Sequence, residues 1–224
     1  GTGKSSFVNA FRNIKDGDEH AAPTGVKETT TGVKEYPHPS YNRILFSDLP
    51  GIGTPNFKAK KYMKQVQFKK FDFFIIFSAC RFTENDVKLA KQIKNMGKKF
   101  YFVRSKVDQD LQNEQRRENF SEQETLAQIK EHCIKGLKEL GIESPQVFLV
   151  SHHDDCLYDF PLLRDTLEGD LPENKRDALM LATPSIFPHV IKKKKKVLPA
   201  SDMGSYCSIW VCSSCSSSRA FCCC

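Results

Sequence analysis

Gly1-Thr2-Gly3-Lys4-Ser5-Ser6 opens the chain with residue types suited to holding phosphate. The spacing matches the back half of the G-x-x-x-x-G-K-[ST] loop, whose glycines let backbone N–H groups turn onto phosphate oxygens. Gly1 and Gly3 are placed for that task, and Ser6 follows them into a helix. Lys4 would reach the β- and γ-phosphates as a point charge. Ser5 would give its hydroxyl to Mg²⁺. The first glycine of the full loop would stand three residues before Gly1. The chain is therefore expected to be truncated at this end, with the strand that feeds the loop lying upstream. Taken alone, G-x-G-K-S is also a chance loop sequence, so its meaning depends on companion motifs downstream.

Three such motifs are present, in order. Ile44-Leu45-Phe46 leads into Asp48-Leu49-Pro50-Gly51. A strand ending in D-x-x-G sets a carboxylate near Mg²⁺, usually through water, and the Gly51 N–H near the γ-phosphate. Phe100-Tyr101-Phe102-Val103 leads into Ser105-Lys106-Val107-Asp108, an [NTS]-K-x-D guanine signature. Asp108 can accept two N–H groups from the guanine edge, and the Lys106 stem can lie along the base. Adenine lacks that donor pair and would leave a carboxylate unpaired, a difference worth roughly 10⁴-fold in sites of this kind. Gln146–Val150 then ends at Ser151, where a serine can face the base. Each motif alone has an ordinary strand-loop reading, but the ordered set points to a guanine-nucleotide site.

The elements that must position these residues alternate. Helices are predicted from Ser5 to about Ile14, over Lys58–Lys69, from Thr83 (capped by Asp86) to Gly97, from Ser121 to Gly141 and over Pro161–Leu167. Strands are predicted at Val33–Tyr36, Asn42–Ser47, Phe71–Ala79, Lys99–Arg104 and Gln146–Ser151. Phe71–Ala79 is almost wholly apolar, as a strand covered on both faces must be. Lys15–Thr31 is polar and reads as a mobile loop. The fold class is α/β: a mainly parallel sheet with helices on both faces, lacking its first strand. The ligand belongs at the carboxyl ends of the strands.

Composition agrees with one domain of ordinary size. The 224 residues are 39% hydrophobic, and no run of eighteen apolar residues is present to span a membrane. Most of the net charge of +7 lies in Lys192–Lys196 and Arg219, set against Asp202. Nothing in that balance demands nucleic acid. Of the nine cysteines, Cys80, Cys133 and Cys156 are scattered as in a reduced cytosolic protein, and the others crowd the last eighteen positions.

The chain resembles the immunity-related GTPases, an interferon-inducible family of vertebrates. The marks are Gly1–Ser6, Ala22-Pro23-Thr24-Gly25-Val26, Asp48-Leu49-Pro50-Gly51-Ile52-Gly53-Thr54, Tyr101–Asp108 and Tyr158-Asp159-Phe160-Pro161. The resemblance runs from Gly1 to about Leu198. It implies a Ras-like P-loop G domain between helical segments, with GTP, GDP and Mg²⁺ as ligands. It also implies G-domain dimerisation, with a second copy or a related GTPase. Its setting is cell-autonomous innate defence, in the cytoplasm and peripherally on intracellular or vacuolar membranes. Lys4 places the chain with the subgroup carrying Lys, not Met, in the loop. The Tyr158–Pro161 stretch has no role in guanine chemistry.

Hydrolysis needs a group that orients water. Ras-type sites use a Gln directly after D-x-x-G; here Ile52 holds that place. In the family a Glu at the position of Glu28 is implicated in activating hydrolysis within the dimer. A Thr at the position of Thr30 is the switch ligand to Mg²⁺ and γ-phosphate. The resemblance therefore implies catalytic roles for Glu28, Lys4 and Thr30, and metal contacts for Ser5, Thr30 and Asp48. The plainer alternative is a solvated loop charge at Glu28 and loop filler at Thr30. Two functional classes stay open: a GTPase that assembles on membranes, and a nucleotide-binding interaction module with little or no turnover.

Domain limits are expected at 1–184 for the G domain and 185–199 for the start of a C-terminal helical segment. Residues 200–224 are expected to be a Ser/Cys-rich tail, disordered and translated past an exon boundary. Lys192–Lys196 would attract anionic lipid at about 1 kcal/mol per Lys near such a surface, but a solvated helix face is the commoner meaning. Cys222-Cys223-Cys224 does not fit C-a-a-X. Cys212-x-x-Cys215 lacks a partner pair for zinc, and His152-His153-Asp154-Asp155-Cys156 reads as a surface loop.

Overall fold

Phe73–Ser78 is buried along its whole length, and the molecule is built around it. A computed structural model describes residues 3–25, 33–39, 41–49, 62, 67–79, 83–139, 141–151, 158–171 and 207–213. The elements are α1 (Lys4–Phe11), β1 (Lys34–His38), β2 (Tyr41–Asp48), a 3₁₀ turn (Phe68–Lys70), β3 (Phe73–Ser78), α2 (Glu84–Asn95), β4 (Phe100–Arg104), α3 (Val107–Glu114), α4 (Glu122–Glu139), β5 (Val147–Leu149), α5 (Phe160–Asp170) and β6 (Cys207–Ser213). They form one six-stranded sheet in the order β1-β2-β6-β3-β4-β5. Only β1 and β2 pair antiparallel; β2–β6, β6–β3, β3–β4 and β4–β5 are all parallel.

Side-chain alternation along the strands divides the core into two layers. Phe46, Phe73, Ile75, Phe77, Tyr101, Val103 and Phe148 face α1 and α5, where Phe7, Phe11, Leu163 and Leu167 cover them. Phe74, Ile76, Phe102, Val147 and Leu149 face the other way, against Leu89 and Ile93 of α2 and Cys133 and Leu137 of α4. Both faces are therefore closed, as parallel sheets require. The predicted α/β class, with a mainly parallel sheet and helices on both faces, holds.

Within the expected tail, the structure describes residues 207–213 alone. Residues 207–213 are not disordered: they form β6, in the middle of the sheet. Their local pattern explains it. Ile209 and Val211 alternate with other types, both are fully buried, and both join the α1-facing core layer.

Smaller differences have local causes. α1 stops at Phe11, short of the predicted Ile14, because Asn13 is left-handed at φ 54°. The short helix α3 is not among the predicted elements; Lys106, left-handed at φ 61°, starts it. α5 runs on to Asp170. The predicted capping box at Thr83 and Asp86 is present, the Asp86 carboxylate accepting from the Thr83 amide at 2.9 Å. The Lys58–Lys69 helix and the limits at 184 and 199 fall outside the described residues, apart from Tyr62 and residues 67–69.

Burial pushes the Cys133 thiol up from 9.0 to about 11, with Arg104 opposing and Asp86 and Asp110 adding to the rise. A raised thiol pKa means the folded state resists forming thiolate. Stability is then full below pH 9 and declines as pH rises toward 11. Urea denaturation across that window is expected to show a loss of about 3 kcal/mol that Cys133→Ala removes. An identical pH profile for the variant would contradict it.

Candidate functional site

The phosphate side of the site is set by how β2 ends beside the start of α1. Gly3 precedes α1 in a left-handed conformation, φ 83°, which glycine adopts without strain. Its carbonyl accepts the first helical bond, from the Phe7 amide at 2.9 Å. Lys4 and Ser5 therefore stand on the first turn. Asp48 closes β2 with only 1% exposure. Lys4 Nζ donates to Asp48 Oδ1, and Ser5 Oγ lies 3.4 Å from Asp48 Oδ2. A cation, a hydroxyl and a carboxylate thus meet at a helix N-terminus, where the backbone dipole favours anions.

Ser5 and Asp48 present hard oxygen donors side by side. That donor set suits Mg²⁺, which takes one or two protein oxygens and completes its shell with phosphate and water. Among the described residues no cluster of three or more His, Cys, Asp or Glu is placed for a metal.

The base side is built at the ends of β4 and β5. Ser105 is buried, and its amide donates to the Ser78 carbonyl at 2.8 Å. That bond ties the loop after β4 to the end of β3. Asp108 stands in the first turn of α3. The Val150 amide donates to the Arg104 carbonyl at 2.9 Å and the Val107 amide to the Val150 carbonyl at 3.4 Å. Ser105, Lys106, Asp108 and Ser151 are thereby held on one edge. Arg104 braces them, its guanidinium donating to the Ser105 carbonyl at 2.8 Å and pairing with Asp110.

A cleft of about 300 Å³ lies between the start of α1 and the ends of β4 and β5, lined by Gly3, Ser6, Lys15, Ser105, Ser151 and Phe160, among others; Lys4, Ser5, Asp48, Lys106 and Asp108 are not in its lining. Four of the predicted contacts, from three separate motifs, thus line one cavity. Gly1, Glu28, Thr30 and Gly51 lie outside the described residues.

Several residues that the motifs do not contain hold this arrangement. Asn9, buried on α1, accepts from the Ala22 amide at 2.6 Å and donates to the Ala22 carbonyl at 3.0 Å and to Asp16 Oδ1 at 2.7 Å. Ser6 Oγ donates to the other Asp16 oxygen at 2.9 Å. These bonds pin the loop that leads toward Glu28. An asparagine on the apolar face of a short helix is the signal that could have shown it. Arg12 donates to the Pro37 carbonyl at 3.1 Å and lies 5.3 Å from the Tyr36 ring centroid. Burial raises the Tyr36 phenol, Asp48 adds to the rise, and Arg12 opposes it.

Tyr158-Asp159-Phe160-Pro161 also acquires a task. Asp159 Oδ2 accepts from the Leu149 amide at 3.0 Å and from Lys130 Nζ at 2.8 Å. The Asp159 amide returns a bond to the Leu149 carbonyl at 2.8 Å. Phe160 packs against Phe11, centroids 5.0 Å apart, and Pro161 sits in the first turn of α5. The stretch latches the end of β5, two residues before Ser151.

A family model described as Interferon-inducible GTPase (IIGP) matches residues 1–205. Interferon-inducible GTPase 1 of Mus musculus is 45% identical over 200 residues, covering 88% of this chain and 48% of its own length. Interferon-inducible GTPase 5 of Bos taurus is 46% identical over 200 residues, covering 88% and 43%. Immunity-related GTPase family M protein 1 of Mus musculus is 42% identical over 171 residues, covering 76% and 41%. The chain spans about half the length of the curated relatives it matches.

The Asp159 latch makes a stability prediction. Asp159→Ala removes an acceptor for a strand amide and the partner of Lys130, at an expected cost of about 1–3 kcal/mol in urea unfolding. A change below about 0.5 kcal/mol, the level of an inert surface substitution, would show that the latch does not hold β5.

Proposed function

Because this chain belongs to the interferon-inducible GTPase family, we propose that it is the guanine-nucleotide-binding part of a protein that hydrolyses GTP to GDP. The observation that carries the reading is the single cleft shared by Gly3, Ser6, Ser105 and Ser151, while Lys4 and Ser5, between Gly3 and Ser6 in sequence, meet Asp48 beside it.

Each residue has a place in that chemistry. Gly3 gives the triphosphate close approach to the backbone at the start of α1. Lys4 leaves Asp48 for the β- and γ-phosphates, a larger local negative charge. Ser5 and Asp48, with Thr30, would hold Mg²⁺, which would supply positive charge against the phosphoryl group. Asp108 accepts the guanine N–H pair, Lys106 lies along the base, and Ser105 and Ser151 fix the loops beside it. Gly1 and Gly51 add amides near the phosphates. Glu28 orients the attacking water, a role supported by family resemblance and by Ile52 standing where a Ras-type site has Gln.

Placing the active site partly across a G-domain dimer, formed with a second copy or a related GTPase, follows from the same resemblance. So does action in innate defence at intracellular membranes. Among the described residues no helix is long and apolar enough to cross a membrane. Ile52 also favours a second reading, a GTP-binding interaction module with little turnover.

GTP turnover against protein concentration separates the two. Specific activity rising as dimers form, and falling back by at least about a hundredfold in Glu28→Ala, is expected for a dimer-activated GTPase, a hundredfold being the lower end of a general-base contribution. Tight GDP binding with flat, negligible turnover would leave the interaction module. Turnover unchanged by Glu28→Ala would remove Glu28 from the mechanism.

A further inference from the structure

The loop that carries Ser105, Lys106 and Asp108 turns on a backbone conformation that its residue type disfavours. Lys106 is left-handed at φ 61°, where a side chain crowds the backbone and glycine is the usual occupant. The turn is also the start of α3, and no side chain caps that helix. Such a conformation persists where its surroundings over-determine it. The Ser105 amide donates to the Ser78 carbonyl at 2.8 Å and the Val107 amide to the Val150 carbonyl at 3.4 Å. Both bonds tie the loop sideways, to the end of β3 and to the residue after β5. Arg104 acts along the loop instead. From the buried end of β4 it donates one terminal nitrogen to the Ser105 carbonyl at 2.8 Å, just before the turn. The other goes to Asp110 Oδ2 on α3, just beyond it. The guanidinium thus spans Lys106 from strand to helix. Burial raises the Asp110 carboxyl, Arg104 opposes the rise, and Asp108 and Glu114 add to it. Arg104 therefore also offsets the crowding of carboxylates along α3.

We propose that Arg104 and Asp110 form a clamp across the Lys106 turn which sets the guanine selectivity of the site, by fixing the direction of the Asp108 carboxylate. The proposal rests on the nucleotide reading, in which Asp108 accepts the N–H pair of the guanine edge. Neither Arg104 nor Asp110 touches the nucleotide; both are positioning residues. Asp110 stands two residues after Asp108, about 200° further around the helix axis. Holding the Asp110 face of α3 therefore sets how the Asp108 face is turned. Two hydrogen bonds to one carboxylate need it to meet the donor edge squarely. A small rotation of α3 would keep one bond and lose the other. A planar fork suits the clamp, because its two nitrogens keep a fixed spacing between the Ser105 carbonyl and the Asp110 carboxylate. Lysine would carry the same charge without that geometry. The phosphate end lies on other elements, with Gly3 and Lys4 at the start of α1 and Asp48 at the end of β2. Loss of the clamp should therefore cost base selectivity and leave phosphate recognition as it is.

Competition of GDP, inosine diphosphate and GMP against a fluorescent GDP on the full chain, with Mg²⁺ present, tests this. Inosine diphosphate keeps the ring N–H of guanine and lacks its exocyclic amino group, so the preference for GDP over it reads the second bond to Asp108. The preference for GDP over GMP reads the β-phosphate. The unchanged chain should prefer GDP to inosine diphosphate by at least about tenfold, the lower range of a hydrogen bond to a charged group. Arg104→Lys and Asp110→Asn should each lower that preference by at least about fivefold, most of one such bond. The preference for GDP over GMP should stay within about twofold, the scale of an inert substitution. Asp110→Asn keeps the shape of a half-buried side chain, so it decides alone if Arg104→Lys does not fold. A base preference unchanged in the variants overturns the proposal, and so does a parallel fall in both preferences, the mark of general loosening. Equal binding of GDP and inosine diphosphate by the unchanged chain overturns it too, since Asp108 would then read no second donor. A chain that binds none of the three overturns the nucleotide reading, and the clamp's selectivity role falls with it.

Discussion

A parallel sheet covered on both faces tolerates no gap, because every buried N–H and C=O group inside it needs a partner. The span from β2 to β3 is where that constraint is most severe here. β6 satisfies it, pairing on both sides and continuing the register from Phe46 through Ile209 to Phe73. The aromatic layer beneath α1 depends on the same alignment. Phe7 meets Phe77 at 4.6 Å between centroids and Phe160 at 5.6 Å, so helix, sheet centre and α5 are fixed together.

The site follows from that alignment. Asp48 on β2 and the guanine loops after β4 and β5 are far apart in sequence and on opposite sides of β6. A nucleotide can touch both only if the sheet keeps them in register. Local bonds then refine each half: Asn9 and Asp16 hold the loop beyond α1, and Asp159 holds the end of β5. Lys4 and Asp48, both buried, face one another. Burying two charges is tolerable when they are paired, and the pairing keeps both groups at the phosphate end.

Much of this is legible in the residues. Phe71–Ala79 reads as a doubly covered strand because it is apolar at nearly every position. Thr83 and Asp86 announce a capped helix because their side chains can satisfy its free amides. The phosphate and guanine motifs are legible because their residue types and spacing are specific, and because the later ones each sit after an apolar strand. The features that escape have a common cause: they depend on partners distant in sequence. Ile209 and Val211 are two apolar residues in a Ser/Cys-rich stretch, and only the slot between β2 and β3 makes them a strand. Asp159 looks like an ordinary polar residue until Leu149 is placed beside it, and Asn9, though it stands on an apolar helix face, gives no sign that its partner is Ala22. Lys106 gives no sign in its side chain of the left-handed backbone that starts α3.

The central claim is that one cleft binds guanine nucleotide through residues drawn from both sides of β6. Calorimetric titration of the full chain with GDP and with ADP, each in the presence of Mg²⁺, tests it directly. Saturable binding of one GDP per chain is predicted, with ADP weaker by at least about a hundredfold, because Asp108 recognises a donor pair that adenine lacks. Equal binding of the two nucleotides, or no binding of GDP, would contradict it.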